Sequence, residues 1–135
     1  MKITAAINLL FVLISSNALA EWVKIGENNR STVYIDTTIR KSADSKLVWL
    51  MFDYKLTQQS PKSGRRYLTE KAQWEFDCKA ERLRTSYSSW HSEHMGYGVV
   101  VYEGASNGDW LPSSAPGSFG SAAWLFVCVK NGKIN

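Results

Sequence analysis

Apolar and polar side chains alternate along most of this chain with the two-residue period of extended strands, and the period changes only near the C-terminus. Residues 21–25 and 30–36 predict two short strands around a turn at Gly26-Glu27-Asn28-Asn29, with Val33 and Ile35 on one face and Tyr34 and Asp36 on the other. Residues 46–56 are apolar on both faces, with Val48, Leu50, Phe52 and Tyr54 opposed to Leu47, Trp49 and Met51, as a central strand requires. Residues 57–66 (TQQSPKSGRR) predict a polar loop. In residues 67–78, Leu68, Ala72, Trp74, Phe76 and Cys78 point one way and Thr69, Lys71, Gln73, Glu75 and Asp77 the other, while Glu70 breaks the pattern.

A two-residue connection at Lys79-Ala80 would open a hairpin with residues 81–90. It would oppose Asp77 to Arg82 and Glu75 to Arg84 on one face, and Phe76 to Leu83 and Ala72 to Tyr87 on the other. Residues 91–95 predict a solvated polar link, 97–103 a Val-rich strand, and 104–117 a loop rich in Gly, Ser, Pro and Asn. Ser118 is placed to cap a helix running to about Cys128, although Ser121 stands where a capping box prefers Glu or Gln. Phe119, Ala123 and Val127 would form its packing face. Residues 124–129 also suit a final strand, and the helix is preferred. The expected fold is α+β: a small antiparallel β-sheet of about five to six strands with a C-terminal α-helix.

The first twenty residues differ from the rest. Lys2 supplies a positive n-region, residues 7–14 are mostly apolar, and Ala18-Leu19-Ala20 is a small-x-small cleavage site. The apolar stretch falls short of the roughly 20 residues that span a bilayer. A signal peptide over residues 1–20 is expected, leaving one domain of 135 − 20 = 115 residues, 21–135. Export makes the only two cysteines, Cys78 and Cys128, a structural disulfide rather than a redox pair, which would lie close together in sequence. A bridge would clamp the terminal helix to the sheet.

Charge and chemistry narrow the function classes. The net charge of +4 falls to 4 − 1 = +3 without Lys2, and acids interleave with bases, so nucleic acid is not an expected partner. No Gly-x-Ser-x-Gly elbow or gathered phosphate loop occurs, and Glu75, Asp77 and Glu81 sit beside arginines, so an enzyme is not expected. His91-Ser92-Glu93-His94, with Met95 beyond, lacks the spacing of a zinc helix; no metal or other cofactor is expected. The densest positive stretch holds Lys62, Arg65, Arg66, Lys71, Lys79, Arg82 and Arg84. It is either a solvated face or a surface for an acidic partner, and pairing of Arg82 and Arg84 with Asp77 and Glu75 would leave Lys62, Arg65 and Arg66 the freest charges.

The order of landmarks resembles the bacterial surface-adhesin protein E family. Trp22 is followed by Val33-Tyr34-Ile35-Asp36, Val48-Trp49 to Tyr54, Glu75-Phe76-Asp77-Cys78, Glu81-Arg82-Leu83-Arg84, Trp110, Pro116-Gly117-Ser118 and finally Trp124 to Cys128. The resemblance implies a disulfide-tied sheet with a C-terminal helix, a Gram-negative envelope or surface location, binding of host extracellular-matrix proteins through the segment corresponding to residues 65–84, and a homodimer through the sheet. The namesake is a lipoprotein, whereas here Glu21 follows the cleavage site. That leaves a soluble periplasmic accessory or structural protein as the alternative.

Overall fold

A computed structural model describes residues 21–113, 117–130 and 132–134; the expected signal peptide lies outside the described residues. The strands are β1 (Trp22–Glu27), β2 (Ser31–Asp36), β3 (Arg40–Ser42), β4 (Ser45–Gln59), β5 (Arg66–Asp77), β6 (Arg82–His91), β7 (Val100–Ala105) and β8 (Leu111–Pro112). Helix α1 (Phe119–Cys128) follows, then the short pair β9 (Val129–Lys130) and β10 (Lys133–Ile134). The main sheet is antiparallel throughout and runs β1-β2-β4-β5-β6-β7, with β3 added to β4 and β8 to β6. An up-and-down meander of this kind needs only short connections, which the turn-rich joints of the sequence supply.

Directly paired residues share a face, so the register sorts the side chains. One face carries the row Ile35, Leu50, Ala72 and the row Val48, Trp74, together with Val33, Phe76 and Leu83. Helix α1 covers this face through Ala123 and Val127, both buried, and Phe119 packs edge-on to Phe52. The Ser118 hydroxyl accepts from the Ser121 backbone N–H at 3.0 Å, which satisfies one of the amides a helix start leaves unpaired. Cys78 and Cys128 are bridged, with Cα atoms 5.4 Å apart and a sequence separation of 50, so the helix end is held on the core face of β5. The central-strand reading of residues 46–56 holds, and the helix wins over a final strand.

Four expectations change. β4 continues to Gln59 and β5 begins at Arg66, so the loop shrinks to residues 60–65. The hairpin pairs Asp77 with Arg82, Glu75 with Arg84 and Phe76 with Leu83, but Ala72 faces Ser88, not Tyr87. A bulge between the Trp74/Thr85 and Gln73/Tyr87 pairs inserts Ser86, whose hydroxyl bonds the Gln73 carbonyl at 3.1 Å and moves Tyr87 to the opposite face. The Val-rich strand starts at Val100 instead of Tyr97, because residues 92–99 fold into a strap containing a single 3-10 turn, His94–Gly96. That strap is not a solvated link. It lies on the face away from the helix, and Thr69 is fully buried beneath it.

Candidate functional site

The seven basic residues of the densest positive stretch do not form one patch. Strand β5 separates them: from Arg66 to Asp77 it spans roughly 37 Å at about 3.4 Å per residue. Lys62, Arg65 and Arg66 lie exposed at the β4–β5 loop end, while Lys79, Arg82 and Arg84 lie at the β5–β6 turn end. Lys71 sits midway on the face opposite the helix, half-buried, its ammonium 5.8 Å from the centre of the Trp22 ring.

At the turn end the arginines are committed. Arg84 Nε donates to Glu75 at 2.9 Å, and Arg82 donates to Asp77 at 3.1 Å. Trp110, from the loop before β8, places its ring 4.4 Å from the Arg82 guanidinium and 4.3 Å from that of Arg84. The two guanidiniums are thus held by carboxylates within the sheet and by an indole across them. Backbone N–H donation from Ala80, with Arg82 beside it, holds the Asp77 carboxyl below its ordinary range. Partial burial works against Glu75, but Arg84 and the Ser45 hydroxyl outweigh it and its pKa is also lowered. Sequence reasoning paired these arginines correctly and missed Trp110, whose only signal was a lone tryptophan in a polar loop.

The loop end is chemically different. The Arg65 carbonyl accepts from the Ser60 backbone N–H at 2.8 Å and Gly64 takes a positive φ of 70°, which closes a tight loop and leaves the side chains of Lys62, Arg65 and Arg66 outward. None of the three forms an ion pair among the described residues. Lys62 reaches to 5.5 Å from the Tyr102 ring. That ring ends a run of aromatic contacts across four strands: Tyr54–Tyr67 at 6.0 Å, Tyr67–Trp90 stacked at 4.7 Å, and Trp90–Tyr102 at 4.6 Å. Glu70, the residue that broke the strand pattern, accepts from the Trp90 indole N–H at 2.6 Å beside this run. Burial raises its pKa against the lowering effect of that bond.

The histidines serve packing. His91 is buried, its Nε2 2.9 Å from the Ser89 hydroxyl, and burial with the nearby Lys71 charge lowers its pKa. His94 Nδ1 lies 2.8 Å from Asp53 and helps dock the strap, as do Thr69, whose hydroxyl donates to the Glu93 carbonyl, and the Gly96 N–H, which donates to Thr69 at 3.1 Å. Among the described residues no three of His, Cys, Asp and Glu gather as a metal-binding group, and no helix is long and apolar enough to cross a membrane.

A profile of the family described as surface-adhesin protein E matches residues 22–129, nearly the whole of the described domain. The chain belongs to the surface-adhesin protein E family. Three solved structures of Haemophilus influenzae protein E share the fold. The first superposes with a TM-score of 0.59 at 16% identity, over 82% of this chain and 86% of that one. A second crystal form gives 0.60 at 17%, over 83% and 90%. Protein E from a non-typeable strain gives 0.55 at 14%, over 81% and 76%. No curated protein matches the sequence. Membership and fold make this an adhesin-like protein of the protein E type, with the disulfide and helix-on-sheet architecture just described.

Proposed function

We propose that the protein is an exported, non-enzymatic adhesin that binds a host extracellular-matrix protein at the β4–β5 loop end of its sheet. The observation that carries this reading is the contrast between the two basic clusters. Arg82 and Arg84 are neutralised by carboxylates and covered by Trp110, whereas Lys62, Arg65 and Arg66 project from a tight loop with no acidic partner among the described residues. An acidic or sulfated surface can approach the second set without displacing an internal bond.

The face opposite the helix supports docking of a second copy. Outside the strap it presents Tyr34, Leu47, Trp49 and Tyr87, all half-buried, with Trp49 and Tyr87 in edge-to-face contact at 5.9 Å. We place the homodimer across this face.

Binding through exposed charge weakens as salt shortens the Debye length from about 10 Å at 0.1 M to about 3 Å at 1 M. The test compares wild type with a triple variant, Lys62→Ser, Arg65→Ser, Arg66→Ser, on immobilised vitronectin, laminin and heparin at both salt levels. Loss of binding in the variant with an unchanged melting temperature supports the reading. Equal binding by the two proteins, or a signal indifferent to salt, favours the periplasmic accessory protein.

A further inference from the structure

The two edges of the main sheet are built differently. Strand β1 is guarded. A bulge interrupts its pairing between Lys24 and Gly26, Lys24 pairs with Glu27 at 3.3 Å, and Phe119 of α1 packs so close to Gly26 that a Cβ there would lie 2.8 Å from its ring. These are the devices by which natural sheets prevent pairing at an edge. Strand β7, at the other end, has β6 on one side and, among the described residues, no strand on the other; its own bulge, between the His91/Val100 and Trp90/Tyr102 pairs, lies at its start and leaves residues 102–105 in regular register.

Its hydrogen-bonding groups can be assigned. The Ser106 N–H donates to the Ser86 carbonyl at 2.9 Å, and the register continues as Tyr87 to Ala105, Ser88 to Gly104, Ser89 to Glu103 and Trp90 to Tyr102. Antiparallel pairing alternates, so Gly104 and Tyr102 spend their N–H and C=O groups on β6. The N–H and C=O of Glu103 and Ala105 therefore point away from the sheet, two residues apart, at the spacing one further strand would satisfy. No Lys, Arg or Pro guards the six residues of β7. Val100, the first of them, is 45% exposed, and Tyr97 and Val99 just before it are 71% and 58% exposed.

We propose that β7 is a docking edge that accepts an extended segment of another polypeptide as an added antiparallel strand. The occupant is specified by the edge itself. Alternating backbone donors and acceptors at a two-residue period are matched by extended polypeptide. Glu103, an exposed carboxylate in the middle of the edge whose Oε2 accepts from the Tyr87 hydroxyl at 3.3 Å and whose other oxygen accepts nothing among the described residues, selects a basic residue opposite it, and Val99 and Val100 select apolar side chains at one end. The edge adjoins the cationic loop, because Lys62 lies 5.5 Å from the Tyr102 ring, but its outward backbone groups belong to Glu103 and Ala105 and the inference does not rest on the loop's charges.

The probe is a synthetic blocked octapeptide alternating valine and threonine with one central lysine, titrated into 15N-labelled protein. The amides of Glu103 and Ala105 should shift and exchange at least tenfold more slowly, while those of Tyr102 and Gly104 change little. Ala105→Pro removes one outward N–H at an edge position that tolerates proline, and it should abolish the effect while keeping the fold. Should that variant melt at a lower temperature, Glu103→Lys decides, because charge reversal should weaken binding of the lysine peptide at least tenfold. Unchanged Glu103 and Ala105 amides, or equal binding by the variants, would overturn the proposal. A wild-type dimer in sedimentation that Ala105→Pro converts to monomer would also overturn it, assigning the edge to a second copy.

Discussion

The indole ring of Trp110 lies 4.3 Å from the guanidinium carbon of Arg84, while Arg84 Nε donates to Glu75 at 2.9 Å within the sheet. An aromatic residue from a loop thereby adds to the hold that a carboxylate already has on this charge. Trp110→Ala should leave Arg82 and Arg84 on their carboxylates, and each of the two lost cation–π interactions should contribute about 1 kcal/mol to the resulting destabilisation. Chemical denaturation checks the stability. Unchanged stability would mean that the indole merely rests on the sheet.

The bridge between Cys78 and Cys128 closes a long stretch of chain, worth roughly 4 kcal/mol on the loop-entropy account. Replacing both cysteines by Ala should lower stability by about 2–5 kcal/mol. Helix α1 should loosen first, because the bond ties its last residue to the sheet. Amide exchange would show weakened protection in residues 119–128 ahead of β4 and β5.

Two titratable groups, buried His91 and half-buried Glu70, bend the pH dependence in opposite senses. His91 has a lowered pKa in the folded protein, so the unfolded chain binds the proton more tightly. Its contribution is present above the ordinary value of 6.5 and is lost as the pH falls below it. Glu70 has a raised pKa, so its proton is held more tightly in the fold and stability falls as pH rises from 4.5 through the folded value. Glu70→Gln keeps an acceptor for the Trp90 N–H without burying charge, and should stabilise the protein at pH 7 and flatten the acid side of its profile. His91→Gln should reduce the loss of stability between pH 7 and 5. Thermal melts of the two variants across pH 4–8 separate these effects; parallel profiles would contradict both assignments.

Legibility followed the range of the forces involved. The outer rungs of the β5–β6 hairpin were readable because Asp77 and Glu75 meet Arg82 and Arg84 with opposite charge on one face while Phe76 meets Leu83 on the other. The helix was readable from Ser118 and the spacing of Ala123 and Val127. The bulge at Ser86 was not, since an inserted small polar residue leaves the alternation nearly intact until the partner strand is known. Burial of Thr69 under the strap depends on its bond to Glu93 and on the docking of His94 to Asp53, pairs distant in sequence, and polar side chains carry no hydrophobic signature. Glu70 did carry one, as the single break in its strand, and its partner Trp90 lay 20 residues away.

The basic stretch shows the same limit. Along the sequence Lys62 to Arg84 is one cluster, but an extended strand carries its members to opposite ends of the sheet, and local pairing then decides which charges stay available. That division underlies the functional reading.

An adhesin must be reachable from outside the cell, and exposed residues 61–66, at the β4–β5 loop and the start of β5, offer trypsin cleavage after Lys62, Arg65 and Arg66. Intact cells producing the protein are treated with trypsin and the chain is followed by denaturing gel, with an outer-membrane-permeabilised sample alongside. The account predicts cleavage on intact cells to the same extent as after permeabilisation. A chain that stays whole on intact cells and is cut only once the outer membrane is opened would contradict it.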